Sequence, residues 1–158
     1  MPFSKLFDRL NINPNESGHN EYARLFPTLS ERGREGRAAS IFLACLTHVP
    51  IFADTLLSPL GRSIGPNSSV VALTEVNPSG ENADRPDGLI AVKTGNSFWT
   101  CMTEFKVGGT LEVEQVERYL KLARSLNIDA VLTISNEIVP RPEVSPVAVS
   151  GRLTQSVK

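Results

Sequence analysis

The feature that most constrains the fold is a pair of strand-like runs, 87–94 and 97–107, separated only by Gly95-Asn96. Such a pair between two β-prone runs is typical of a two-residue hairpin turn with glycine first. The residues that flank the turn then pair with each other, and counting outward places Asp87 opposite Glu104. A symmetric four-residue loop gives the same register. The sequence therefore predicts an antiparallel hairpin with two facing acids at its open end.

The facing acids determine the chemistry that we expect there. Side chains alternate along a strand, so Lys106 shares the face of Glu104 and, across the register, that of Asp87. Directly opposed residues have Cβ atoms about 4.5–5.5 Å apart, and two ionised carboxylates at that range repel each other. A divalent cation relieves this repulsion, and carboxylates with a backbone carbonyl are ligands that Mg²⁺ prefers. We therefore expect a metal site, with the Lys106 ammonium beside a water or hydroxide.

Helices and further strands around the hairpin complete an α/β pattern with a mixed sheet. Helical spacing of apolar residues, preceded in the first case by a capping-box pattern, predicts three helices over 28–49, 51–57 and 111–126. β-Branched or apolar runs predict two more strands, over 69–76 and 129–135. The second of these is nearly all apolar, so we expect it beside the hairpin and buried on both faces.

The two ends of the chain differ from this central part. Residues 1–27 contain many turn formers and show no periodicity, which predicts an irregular or loosely helical lead that packs weakly. Residues 28–138 form the predicted core. Residues 139–158 are rich in proline and stop in strand-like material, so we expect the natural protein to continue past Lys158.

Composition excludes several classes of protein. The chain is 41% hydrophobic and 21% charged, as a folded domain requires, and its formal net charge of −1 excludes a globally basic nucleic-acid binder. The longest apolar run, 41–46, is far shorter than the roughly 20 residues that span a bilayer, so no membrane segment is predicted. Cys45 and Cys101 lack metal spacing and lie in apolar contexts. We expect both to be reduced and buried, in a cytoplasmic protein.

The motif residues resemble a known nuclease superfamily. Pro86-Asp87 precedes Glu104-Phe105-Lys106, and the next predicted helix carries Gln115 and Tyr119 in a QxxxY spacing. This pattern, in the order helix, strand, strand, strand, helix, strand, is similar to the PD-(D/E)XK nuclease superfamily with its restriction-endonuclease-like fold. The similarity is to the branch that bears QxxxY, and it covers about residues 28–135.

Carried over residue by residue, the resemblance implies a nuclease that depends on Mg²⁺, with Mn²⁺ as a substitute. Asp87 and Glu104 would ligate the metal, and the Phe105 carbonyl would join them. Lys106 would orient or activate the attacking water. The partner would be nucleic acid, DNA in the first place, and a homodimer is left open.

Other side chains would then lie near the substrate. Gln115 and Tyr119, one turn apart on the same helix face, would lie beside the metal and the DNA backbone. Arg34 and Arg37 on the first long helix would contact phosphates, although such a group also suits a solvated helix face.

Two assignments stay open at this point. Glu35 resembles the acid that many members of the superfamily contribute from the first helix, but Glu31 matches equally well by spacing. Asp87 could also simply open a strand after a proline turn, and Glu104 with Lys106 could be a surface ion pair. The same fold would then serve as a catalytically inactive nucleic-acid or protein interaction module.

Overall fold

The computed structural model of the chain describes residues 2–14, 20–26, 33–78 and 85–137. The strands are β1 (Glu21–Tyr22), β2 (Ser68–Thr74), β3 (Gly88–Thr94), β4 (Ser97–Lys106) and β5 (Ala130–Ser135). The helices are α1 (Ser4–Arg9), α2 (Gly33–His48), α3 (Pro50–Leu57), which a 3₁₀ turn (Ser58–Leu60) extends, and α4 (Val113–Ser125). The fold is therefore α/β, with the predicted order of helix, three strands, helix and strand from α2 to β5.

The five strands form one mixed sheet in chain order from β1 to β5. Neighbouring strands are antiparallel from β1 to β4, and β5 joins β4 in parallel after the α4 crossover. The position of β5 beside the hairpin is as predicted. The sheet thus holds the start of β3 and the end of β4 next to each other at its centre.

β3 and β4 form the predicted hairpin in the predicted register. Residues 88–94 pair with 97–103 in reverse order, and Gly95 in the turn has a φ of +59°, which favours glycine. Asp87 comes one residue before β3, so the same counting places it opposite Glu104. The turn defines this register because it leaves no residue free to shift the pairing.

Alternation along the hairpin divides the core into two layers. One face, with Leu89 and Met102, packs against α1 and the end of α4. The other face, with Ile90 and Phe105, packs against α2 and α3. A slip of one residue would move every side chain of the slipped strand to the opposite face of the sheet. Because both faces are buried, packing also fixes the register.

Most predicted elements agree with the structure except at their ends. The predicted first turn of α2, 28–32, lies outside the described residues. α3 begins one residue early, at Pro50, because proline fits the first helical turn. β2 ends at Thr74, two residues short of the predicted strand. β5 was expected to be buried on both faces, but five of its six residues are only half-buried, because β4 is its only neighbour in the described sheet.

The N-terminal segment contributes more to the core than its sequence predicts. α1 and the residues around it bury Leu6, Phe7, Leu10 and Ile12 against the α4 side of the sheet. A helix of six residues is shorter than the window in which a helical period can be recognised. The weak packing expected for this segment is therefore wrong for these residues.

The two cysteines differ in burial. Cys101 in β4 has no exposed surface, and burial raises the pKa of its thiol, which stays neutral. Cys45 on α2 is only half-buried, against the expectation of full burial, and both cysteines are free thiols.

Within the described ranges, no single helix is long and apolar enough to cross a membrane. α2 and α3, with the 3₁₀ turn, pass that test only as a pair, by length and composition, and the two are bent by 106°. Both helices contribute buried residues to the core beside the sheet.

Gly88 lies at a point where α2 closely approaches the sheet. A Cβ at this position would overlap Leu43 Cδ1 and would lie 2.7 Å from Thr103 Oγ1 and 2.9 Å from the Leu73 carbonyl oxygen. We expect Gly88→Ala to destabilise the fold by about 1–3 kcal/mol, because these atoms must move apart. Thermal unfolding followed by circular dichroism should show a midpoint several degrees lower. The matched control is Gly65→Ala, where a Cβ meets no atom within 4 Å. An equal effect in both variants would contradict the close approach.

Candidate functional site

The two predicted acids lie where the hairpin opens, at the start of β3 and near the end of β4. Glu104 is 2% exposed, and Asp87 is half-buried. Asp87 Oδ2 accepts a hydrogen bond of 2.7 Å from the backbone N–H of Phe105. The Phe105 side chain points to the other face, where its ring packs edge-on against that of Phe42, with centroids 5.4 Å apart. The backbone of β4 therefore holds Asp87 beside Glu104.

Asp87 carries the clearest electrostatic sign of a functional site. Burial, followed by the negative charge of Glu104, raises the pKa of Asp87 to about 7. The Phe105 hydrogen bond and the Lys106 charge act in the opposite direction but do not cancel this effect. Without a cation, Asp87 therefore keeps its proton to a much higher pH than an ordinary carboxyl group, and strongly perturbed groups of this kind are concentrated at functional sites.

The two carboxylate oxygens of Glu104 have different surroundings. Oε1 accepts a hydrogen bond of 2.6 Å from Gln115 Nε2 and lies 3.2 Å from Lys106 Nζ. Oε2 is buried and has no hydrogen-bond partner among the described residues. A buried oxygen without a donor costs free energy, and a bound cation or a water removes that cost.

Lys106 is a cation at neutral pH. Burial alone would lower the pKa of its ammonium, but the hydrogen bond and charge of Glu104, with the charges of Glu35 and Asp87, raise it above the usual value. The side chain is 20% exposed, and its Nζ lies 3.9 Å from Glu35 Oε2. Lys106 can therefore donate hydrogen bonds and stabilise negative charge, but it does not act as a base in this state.

Gln115 and Tyr119 connect Glu104 to the segment that leads into Asp87. Gln115 Nε2 also donates to the Tyr119 hydroxyl at 3.3 Å, and that hydroxyl donates to the Arg85 carbonyl oxygen at 3.2 Å. Tyr119 is 5% exposed, and burial raises the pKa of its hydroxyl, so it stays a neutral donor. The structure thus brings both predicted residues to the acids. The described contacts of the Tyr119 hydroxyl lie within the protein, and contact with a DNA backbone stays a prediction.

The structure also brings Glu35 to the site. Its Oε1 accepts a hydrogen bond of 3.1 Å from the backbone N–H of Val107, directly after β4. Its Oε2 faces the Lys106 ammonium, as described above. The alternative by spacing, Glu31, lies outside the described residues.

An open cleft of about 510 Å³ adjoins Asp87. It is lined by α2, by the residue after β2 and by the residue after β4: Gly33, Arg34, Glu35, Gly36, Glu75, Asp87 and Val107. Of the two predicted phosphate contacts, Arg34 lines this cleft, whereas Arg37 is exposed on α2 and is not among the lining residues. The cleft gives a ligand access to Asp87, whereas Glu104 is not among the lining residues.

Glu75 is a cleft residue that the sequence did not single out. It follows β2, and its backbone N–H donates to the Asp87 carbonyl oxygen at 2.9 Å. Its charge adds to the effects that raise the pKa of Asp87. The signal that could have identified it is the β2–β3 register, which places it opposite Asp87. The long loop between those strands does not determine that register.

The donor set fits a divalent cation, although it is sparse. Among the residues that the structure describes, no group of three or more His, Cys, Asp or Glu side chains is arranged to hold an ion. Two carboxylate oxygens are available, because Glu104 Oε2 and the second oxygen of Asp87 accept no described hydrogen bond. Mg²⁺ commonly binds through one or two carboxylates and keeps several waters, so this pair suffices. The Phe105 carbonyl as a third ligand stays a prediction.

A comparison of the chain with protein-family models, with curated proteins and with solved structures finds no match. The function must therefore be argued from the site itself.

Proposed function

We propose that this chain is a metal-dependent nuclease, with a restriction-endonuclease-like core, that hydrolyses phosphodiesters of nucleic acid, DNA in the first place. The observation that carries the proposal is the set of contacts made by the two carboxylate oxygens of Glu104. One of its buried oxygens is held by Gln115 and Lys106, and the other has no donor among the described residues. Beside it lies a second acid, Asp87, whose pKa is raised. An arrangement of this kind is expensive for a purely structural protein and suited to binding a cation.

Each side chain has a role that follows from its contacts. Asp87 and Glu104 would hold Mg²⁺ or Mn²⁺, which supplies the charge that polarises a phosphate and lowers the pKa of a bound water. The Lys106 ammonium stabilises the negative charge of the attacking oxygen. Gln115 fixes the orientation of Glu104 through its hydrogen bond. Glu35 accepts a hydrogen bond from the Val107 N–H and faces the Lys106 ammonium, so it positions the Lys106 side chain.

The cleft beside Asp87 would receive the substrate. Arg34 at its edge offers a positive charge to a phosphate, which compensates in part for the acids that line the same cleft. With a net charge of −1, the chain has no general attraction for nucleic acid, so local cations and the bound metal must supply it.

One observation favours a second candidate, an inactive interaction module on the same fold. The Lys106 ammonium already lies 3.2 Å from Glu104, so this carboxylate has a counter-charge without a metal. A module of this kind would bind nucleic acid or a protein and would cleave nothing.

Incubation of the full-length protein with supercoiled plasmid and with linear DNA and RNA separates the two candidates. We expect cleavage with Mg²⁺ and with Mn²⁺ and none with EDTA, and nicking of the plasmid would identify an endonuclease. The Asp87→Asn variant, purified in the same way, controls for contaminating nucleases. Binding without cleavage in either metal would overturn the proposal in favour of the interaction module.

A further inference from the structure

A second pocket lies at the opposite end of β4 from Glu104. It has a volume of about 330 Å³ and is bounded by α1, by the start of β4 and by the turn between α4 and β5. Its lining residues are Lys5, Leu6, Arg9, Phe98, Asn127 and Asp129. None of them belongs to the candidate site described above.

Two cations, Lys5 and Arg9, line this pocket. Lys5 and Arg9 are four residues apart, so they project from the same side of α1. Both are exposed, and neither forms an ion pair with any residue that the structure describes. Two positive charges that no described acid pairs, at one concave surface, favour an anionic group, and phosphate is the anion that lysine and arginine commonly bind.

The remaining lining residues suit the other parts of a nucleotide. Phe98 is a half-buried aromatic side chain whose ring is tilted against that of Phe3, at 5.9 Å between centroids. Aromatic side chains are the surfaces on which bases stack in single-strand binding. Asp129 Oδ2 accepts hydrogen bonds from the Thr100 N–H at 2.8 Å and from its hydroxyl at 3.0 Å, which hold the carboxylate in place. Its other oxygen can accept from a donor of the base, such as the ring N–H of thymine.

We propose that this pocket binds one nucleotide unit of a nucleic-acid strand, with its phosphate at Lys5 and Arg9 and its base against Phe98. The inference rests on the proposed function, since it assigns the same substrate a second contact on the protein. Asp129 is the one acid among the lining residues, and its negative charge repels a lone inorganic phosphate. A nucleotide is the better ligand because it also brings donor groups that Asp129 can accept.

The position of the pocket determines which substrates it can influence. Phe98 and Glu104 lie on the same face of β4, six residues apart, which corresponds to about 20 Å at roughly 3.3 Å per residue. Phosphates of one strand in B-form geometry advance about 3.4 Å along the axis, and an extended single strand advances further, so this separation corresponds to at most about six nucleotides. The pocket therefore acts only on substrates that extend at least this far from the bond that is cleaved.

The test uses fluorescence anisotropy of a labelled 20-nucleotide oligothymidine in EDTA, where no cleavage occurs. The double variant Lys5→Gln with Arg9→Gln should bind about tenfold more weakly. The slope of log K against log salt should fall by about 0.7, the value for one phosphate contact to a single strand. The matched control, Arg118→Gln with Lys121→Gln, also removes one arginine and one lysine charge, from exposed positions on α4. Equal binding by wild type and the Lys5/Arg9 variant, or an equal loss in the control, overturns the proposal.

Two further measurements identify the ligand and separate this inference from the proposed function. Phe98→Leu should weaken oligothymidine binding, and thymidine monophosphate should compete better than inorganic phosphate. If the two compete equally and Phe98→Leu has no effect, the pocket binds phosphate alone and the nucleotide assignment is wrong.

Intact cleavage with normal binding by the Lys5/Arg9 variant refutes only the pocket. Weakened binding by that variant, in a protein that cleaves nothing, refutes only the nuclease.

Discussion

Lys106→Met is expected to lower the rate of nucleic-acid cleavage by about 10²–10³-fold while leaving substrate binding nearly unchanged. Removal of a single group that stabilises developing charge in an active site typically has an effect of this size. Methionine keeps most of the length and volume of the side chain, so the loss is confined to the ammonium that lies 3.2 Å from Glu104 Oε1. Both carboxylates assigned to the metal stay in place, but they lose the Lys106 charge that lowers the pKa of Asp87. Single-turnover cleavage of a labelled duplex in Mg²⁺ gives the rate, and anisotropy in Ca²⁺ gives the affinity.

The control for this prediction is Lys121→Met, which removes an ammonium from an exposed position on α4. It should leave both the rate and the affinity unchanged. Equal losses of rate and affinity in Lys106→Met would identify Lys106 as a substrate contact and not as a group that acts on the attacking oxygen. Unchanged cleavage would show that Lys106 serves only as the counter-charge of Glu104.

The geometry of the two acids could be predicted because it depends on a local signal. A two-residue turn leaves the β3–β4 pairing no freedom, so counting from Gly95 places Asp87 against Glu104 without knowledge of the rest of the fold. The helix that carries Gln115 and Tyr119 has a strong apolar stripe, and its spacing places both residues on one face. The structure then adds what spacing cannot, the distances that join Gln115 to Glu104 and Tyr119 to Arg85.

The features that sequence did not predict depend on contacts between distant segments. Glu75 belongs to the site only through the pairing of β2 with β3, and the loop between them is too long to define that register. The burial of Leu6 and Leu10 depends on the sheet face that α1 covers, which a helix of six residues does not reveal. In the described sheet β5 has one neighbour, which only the topology reveals, since an apolar run has the same composition in a central strand and beside a single neighbour.

Asp87→Asn is expected to raise the stability of the metal-free protein and to abolish its response to metal. The folded protein raises the pKa of this carboxyl from 3.8 to about 7, so folding disfavours its ionised form. The penalty is absent below about pH 4, grows as the pH rises through the window from 4 to 7, and is constant above it. Asparagine cannot ionise, and its side-chain oxygen can still accept the hydrogen bond from Phe105.

The unfolding midpoint of Asp87→Asn in EDTA should therefore match that of wild type at pH 4 and exceed it by several degrees at pH 8. Glu114→Gln, which removes a negative charge from an exposed position on α4, should show no such pH-dependent difference. An equal gain at both pH values would show that ionisation of Asp87 is not the cause.

The same variant tests the metal site, because a ligand that binds only the folded state raises its stability by mass action. Millimolar Mg²⁺ or Mn²⁺ at pH 8 should raise the midpoint of wild type, since the cation relieves the repulsion between Asp87 and Glu104. Asp87→Asn has lost both the repulsion and one of the two free carboxylate oxygens, so its midpoint should not respond. If metal raises both midpoints equally, the cation binds elsewhere and the two acids are not its ligands. If metal raises neither while Asp87→Asn still gains stability at pH 8, the acid pair exists but binds no cation, as the interaction module requires.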